Sequence, residues 1–138
     1  MPAIRNIIHK KPICLVNGGK QRRSFTYVDD GINALMKIIE NKDNCAEGRI
    51  FNIGNPNNDS SIEGLALLIK KIVSQKYPKY SDSISLTSVD ENDYYGDNYE
   101  DISARVPSIY NSKKYLDWEP KISLEIALEK PLDFYLAS

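Results

Sequence analysis

The stretch from Ser60 to Val73 carries the clearest helical signature in the chain, and its surroundings restrict the fold. Ser60-Ser61-Ile62-Glu63 fits a capping box, in which a serine hydroxyl and a glutamate carboxylate each satisfy a free amide at the helix start. Ile62, Leu65, Ile69, Ile72 and Val73 then recur at helical spacing, and the helix stops before Pro78. Downstream, Ile84-Ser85-Leu86-Thr87-Ser88 alternates apolar and polar side chains as a strand does. Upstream, Arg49-Ile50-Phe51-Asn52-Ile53 reads as a strand closed by the turn cluster Gly54-Asn55-Pro56-Asn57-Asn58. Strands alternating with helices indicate an α/β protein.

The same alternation runs through the rest of the chain. Residues up to His9 read as the tail of a helix, ended by Lys10-Lys11-Pro12. Ile13-Cys14-Leu15-Val16 is a short strand, followed by a turn at Asn17-Gly18-Gly19, where asparagine and glycine tolerate positive φ. Residues 23–28 read as a second extended segment. Asp29 or Asp30 is expected to cap a helix with apolar positions Ile32, Leu35, Met36 and Ile39. Residues 90–108 form a long acidic, tyrosine-rich loop, uncommon in a compact domain unless functional or disordered. A short helix covers 112–115. A final helix follows Pro120, capped by Ser123, with Pro131 expected to kink or interrupt it.

With 138 residues, the chain is close to one domain and long enough to bury a core. No uncharged apolar run approaches the roughly 18–20 residues needed to span a bilayer. Eighteen basic residues against nineteen acidic ones leave a net charge of −1, far from the basic balance that phosphate neutralisation demands, so nucleic acid is not an expected partner. Cys14 and Cys45 form no CxxC pair and read as reduced thiols of a cytoplasmic protein. The N-terminus has no sustained apolar stretch and is not expected to be a signal peptide. There are no internal repeats and no low-complexity tract.

Few residues offer chemistry by pattern alone. Lys20, Arg22 and Arg23 beside Gly18-Gly19 make a cationic turn suited to phosphate, since a guanidinium matches a phosphate bidentately and glycines permit close backbone approach. A solvated basic hairpin is the plainer alternative. Asp90-Glu91-Asn92-Asp93 fails as a calcium loop, because position five falls on Tyr94 and the glycine, Gly96, falls seventh. His9, the only histidine, has no nucleophilic partner motif. Trp118 and the stripe from Ile62 to Ile72 read as core.

Gly19-Lys20-Gln21-Arg22-Arg23-Ser24-Phe25-Thr26-Tyr27-Val28-Asp29-Asp30 resembles the GxQxRxFxYVxD stretch of extended short-chain dehydrogenase/reductases acting on nucleotide sugars. Phe51-Asn52-Ile53-Gly54-Asn55 before a capped helix, and 111–120 ending in Asp117-Trp118-Glu119-Pro120, agree in the same order. The run from Tyr94 to Ser108 narrows the resemblance to the oxidative UDP-glucuronic acid decarboxylase domain of bifunctional polymyxin-resistance proteins. It covers nearly the whole chain but only the C-terminal, substrate-binding part of the Rossmann-type domain. The GxxGxxG turn that holds NAD in the family is absent. So is a placed catalytic YxxxK pair, since Tyr110-x-x-x-Lys114 matches by spacing only and lies in the closing segment. NAD is therefore expected on a missing N-terminal half, Met1 is expected to mark an internal start or a boundary, and the isolated chain is expected to be inactive and marginally stable, with exposed apolar faces.

The resemblance implies a UDP-sugar along Cys14, Leu15, Val16, Asn17, Gly18, Gly19, Lys20, Gln21, Arg22 and Arg23, with Arg23 on the diphosphate. Close relatives carry lysine where Cys14 stands. Tyr99 aligns with a substrate-binding tyrosine, and Arg105 with the arginine assigned as proton donor in decarboxylation. A guanidinium is a poor literal acid, with a reference pKa above about 12, but it suits stabilisation of an enolate. The plainer reading pairs Arg105 with Asp101 or Glu100. The implied product is a UDP-4-keto-pentose for 4-amino-4-deoxy-arabinose modification of lipid A. Another epimerase or dehydratase part, or a non-catalytic UDP-sugar-binding or packing remnant, are the alternatives. A requirement for the missing half-domain, with homo-oligomerisation as a further possibility, completes the expectation.

Overall fold

A computed structural model describes residues 2–82, 84–90 and 102–137. The order of elements is α1 (Pro2–Ile8), β1 (Ile13–Val16), β2 (Arg22–Ser24), α2 (Val28–Glu40), β3 (Asp59–Ser61), α3 (Ile62–Lys76), α4 (Pro78–Ser81), β4 (Leu86–Val89), β5 (Ala104–Arg105), α5 (Tyr110–Leu116) and α6 (Leu124–Leu136). It is an α/β architecture, as the alternation implied. The chain forms two units: Met1–Arg22, Ser60–Ala104 and Leu128–Ser138 make the first, and Arg23–Asp59 with Arg105–Ala127 make the second.

The first unit is built on a parallel pair. β1 lies beside β4 in the register Ile13↔Leu86 to Val16↔Val89, and α3 lies in the crossover between them, as a parallel connection requires. α1 buries Ile4 and Ile7 and ends where Lys10 turns left-handed (φ 54) and Asn6 Nδ2 donates to Pro12 O. α3 buries Ala66, Ile69, Ile72 and Val73, while Ile62 and Leu65 are half-buried. Its cap sits one residue later than the sequence pattern suggests. Ser61 Oγ accepts from Gly64 N at 2.9 Å, so Ser61 is the N-cap and Glu63 only places negative charge in the first turn. Pro131 does not interrupt α6. The helix runs through it, forgoing one amide bond, because Leu128, Leu132 and Leu136 form a buried stripe at four-residue spacing.

The last turn of α3 and α6 share a polar clasp. Lys76 Nζ lies 2.9 Å from Glu129 Oε2, and the Tyr77 hydroxyl donates to Asp133 Oδ1. That bond, with lesser help from burial and the charges of Asp133 and Glu129, pushes the Tyr77 phenol up to about 12 from 10.0. The neutral phenol is thus favoured in the folded state. The contact's stabilisation is whole below pH 10 and is lost as pH rises towards 12. Wild type should therefore exceed Tyr77→Phe in urea stability by a constant amount at pH 7–9, and that margin should vanish at the alkaline end. A margin that persists undiminished to about pH 12 would contradict the assignment.

The second unit packs around Ala34, Ile109, Leu116 and Trp118, with Ile38, Cys45, Ala46, Phe51 and Ile53 against them. Asp30 does not cap α2, whose N-cap is Tyr27. It is buried, and its Oδ2 accepts Lys121 N at 3.1 Å and Ile122 N at 2.9 Å, while its carbonyl accepts Trp118 Nε1 at 3.1 Å. The Asn55–Asn58 turn is similarly internal. Asn55 Nδ2 and Asn58 Nδ2 both donate to Ile122 O, at 3.0 and 2.9 Å. β2 stops at Ser24 rather than running to residue 28, where α2 has already begun. The strand expected over 49–53 pairs with no other strand among the described residues, and Arg49 N donates instead to Ala46 O at 3.3 Å, although Phe51 and Ile53 face the core and Ile50 and Asn52 face out. Asp117 takes a left-handed φ of 46° at the end of α5, which lets Trp118 turn back into the core.

Candidate functional site

In the first unit, the segment singled out for ligand binding is a strand, a left-handed turn and the start of a second strand. Along β1, Leu15 and Ile13 point into the core while Cys14 is exposed. Leu15 is thus a packing side chain, and only its backbone is available to a ligand. Asn17, Gly18 and Gly19 all have positive φ (47°, 71° and 69°). The two glycines have different tasks. A Cβ on Gly19 would lie 2.8 Å from Glu63 N, so Gly19 lets the turn press against the first turn of α3. A Cβ on Gly18 would meet nothing within 4 Å. Its amide is not free, however, because it donates to Ser88 Oγ at 3.0 Å. Glycine at these positions is therefore explained by turn geometry and packing, and one expected free amide is already bonded.

Beyond the turn, Lys20 and Arg22 are exposed, and Gln21 is half-buried. Gln21 O accepts Ile62 N, and Arg22 N donates to Ser103 O at 2.8 Å. Ser88 and Ser103, which hold this segment in place, lie far along the chain, and nothing in their local sequence marks them. Arg23 is half-buried and belongs to the second unit, as does Arg105, which is exposed on β5. Adjacent strand residues point to opposite faces, so the Arg22 and Arg23 side chains leave β2 on opposite sides. Tyr99 and the proposed Arg105 partners Asp101 and Glu100 lie outside the described residues.

The Tyr110-x-x-x-Lys114 pair occupies one face of α5 in the second unit. Lys114 Nζ is 5.6 Å from the Tyr110 ring centre and 5.0 Å from that of Tyr115, and Arg49 stacks on Tyr115 at 4.3 Å. Hydrogen bonding and attraction to Lys114 lower the Tyr115 phenol, and the same contact raises Lys114. This is an exposed cation–π cluster. Among the described residues no group of three or more histidine, cysteine or acidic side chains is placed to hold a metal. No helix of the described residues is long and apolar enough to cross a membrane. The described residues also do not fit a dinucleotide. Of the two glycines in the one glycine-containing turn beside a strand end, Gly19 is filled in by Glu63 and Gly18 has its amide committed to Ser88.

Residues 1–54 match the NAD dependent epimerase/dehydratase family. The PbgP3 protein of Burkholderia pseudomallei is 38% identical and aligns with 99% of this chain and 37% of its own, at a TM-score of 0.81. The UDP-glucuronic acid 4-epimerase of Bacillus cereus, in complex with UDP-glucuronic acid and NAD, is 26% identical over 96% of this chain and 38% of its own, at 0.76. Pal from Bacillus thuringiensis is 27% identical over 94% of this chain and 36% of its own, at 0.71. The chain thus spans well under half the length of the solved structures it matches.

Proposed function

We propose that this chain, which matches the NAD dependent epimerase/dehydratase family over residues 1–54 and aligns over 99% of its length with PbgP3, supplies the UDP-glucuronate-binding portion of an oxidative decarboxylase. The product is a UDP-4-keto-pentose, feeding 4-amino-4-deoxy-arabinose modification of lipid A. The observation that carries this reading is the alignment of nearly the whole chain with a relative crystallised with UDP-glucuronic acid. The resemblance carried by the Tyr94–Ser108 stretch narrows it to decarboxylation.

Arg23 binds the diphosphate, and Tyr99 contacts the sugar. NAD belongs to a complementary portion of the domain, since the Gly18–Gly19 turn is taken up by Glu63 and Ser88. Once C4 of the sugar is a ketone, the C5 carboxylate is β to it. The bond from C5 to the carboxyl carbon breaks, CO₂ leaves, and the electron pair passes into an enolate. Arg105 stabilises that enolate and orients the proton that returns to C5. The related reading, a UDP-glucuronate epimerase portion, is favoured by the Bacillus cereus relative, whose printed activity is epimerisation. An epimerase releases no CO₂.

Binding tests the shared part of both readings. UDP titrated into the 138-residue chain should bind, and Arg23→Ala should weaken it by about tenfold or more, the size of one charge-assisted contact. Equal affinity in the variant would remove Arg23 from the diphosphate site.

A further inference from the structure

The first unit carries a cleft that no step of the proposed function uses. It is lined by α1, the turn after it and the end of α6, and its volume of about 830 Å³ lies within the roughly 300–1,000 Å³ of small-molecule sites. One wall is apolar. It consists of the buried Ile4 with Ile8 and Tyr135, which leave 38% and 53% of their surface open. The Tyr135 ring is braced edge-on by Phe134, with ring centres 5.0 Å apart. The other wall is basic, formed by Arg5, His9 and Lys11, and among the described residues no carboxylate lines the cleft.

These basic groups are not taken up by the helix they follow. Cations at a helix C-terminus ordinarily serve its exposed carbonyls. Here those carbonyls have backbone partners: Arg5 O accepts His9 N, Asn6 O accepts Lys11 N and Ile7 O accepts Lys10 N. Pro12 O, the next acceptor along, takes Asn6 Nδ2 at 2.7 Å. Among the described residues, no ion pair or side-chain hydrogen bond occupies Arg5, His9 or Lys11 either. On a chain of net charge −1, three basic side chains gathered beside an apolar wall with no acid among them favour an anion.

We infer that this cleft binds a small amphipathic anion, an apolar ring or branched body carrying one phosphate, sulfonate or carboxylate. The body lies against Ile4, Ile8 and Tyr135. The anionic group sits among Arg5, His9 and Lys11, where a guanidinium offers two parallel hydrogen bonds and an ammonium a point charge. The cleft shares no residue with the 14–23 segment assigned to UDP, so the two sites stand or fall separately.

The test titrates anilinonaphthalene sulfonate, an aromatic body with one sulfonate, into the 138-residue chain and follows its fluorescence and the backbone amide shifts. The probe should bind one to one, with shifts centred on residues 4–11 and 132–136. Arg5→Gln/Lys11→Gln should weaken it by about tenfold or more. Both side chains are exposed, so the variant should melt like wild type. Lys42→Gln removes an exposed charge in the second unit and should leave binding unchanged. Phenyl phosphate should displace the probe at a concentration about tenfold lower than inorganic phosphate needs, because only the former fills the apolar wall. No binding, shifts centred elsewhere, an unweakened double variant or an equal loss in Lys42→Gln would overturn the inference. So would displacement by UDP that Arg23→Ala prevents, which would put the probe in the 14–23 segment. Cosedimentation with phosphatidylglycerol vesicles by a chain that binds neither soluble probe would make a lipid surface the occupant, and overturn it too. A bound probe on a chain that fails to bind UDP leaves the cleft standing and removes the proposed function instead.

Discussion

Asp30→Ala should destabilise the chain by about 3 kcal/mol, because it strips the acceptor from two partly buried amides at once. The carboxylate of Asp30 holds Lys121 N and Ile122 N. Ile122 O in turn accepts Asn55 and Asn58. One side chain near the start of α2 thereby fixes the segment that follows Trp118, and that segment fixes the Asn55–Asn58 turn. Asp30→Asn keeps one carbonyl acceptor and should cost about 1 kcal/mol, the difference between a charged and a neutral acceptor. Urea unfolding of the three proteins gives the order directly. A loss below about 0.5 kcal/mol in the alanine variant would show that water replaces the carboxylate, and that residues 118–122 are held by Trp118 and the asparagine bonds to Ile122 O without it.

Asp30 also shows where sequence reading stops. A carboxylate before an apolar helical run is a good cap by local rules, and the helix it announces is present. Its actual partners lie about ninety residues away, and no local pattern encodes them. The same limit applies to residues 49–53. Alternation in side chains was legible and is found, but a strand also needs a hydrogen-bonded neighbour, and Phe51 and Ile53 have no backbone hydrogen bond among the described residues. Helix α3, α2 and the β1 turn were legible because their signals are short-range: apolar spacing, a serine cap, asparagine and glycine at positive φ. Pro131 does not interrupt its helix, since burial of Leu128, Leu132 and Leu136 outweighs one missing amide bond.

The candidate site divides likewise. Its chain positions came from motif resemblance, and the structure adds what each residue is already doing. Leu15 and Gly19 are committed to packing and the Gly18 amide to Ser88, while Cys14, Lys20 and Arg105 are exposed. Burial and bonding of this kind cannot be read from a GxQxRxF stretch.

Arg105→Ala should abolish decarboxylation. The guanidinium is exposed on β5, so its removal leaves no buried charge and no cavity, and the fold should survive. On the proposed reading it removes a fixed positive charge where the enolate develops, an effect of about 10²–10³ in rate for one oxyanion-stabilising donor, compounded by loss of proton placement at C5. Arg105→Lys should recover part of this, since charge is restored without the planar guanidinium. The decisive measurement is release of labelled CO₂ from carboxyl-labelled UDP-glucuronic acid by this chain assembled with its complementary portion and NAD. The account predicts CO₂ from wild type and a loss of about a hundredfold or more in Arg105→Ala. Conversion of UDP-glucuronic acid without CO₂, or an Arg105→Ala variant that releases it at the wild-type rate, would contradict the account.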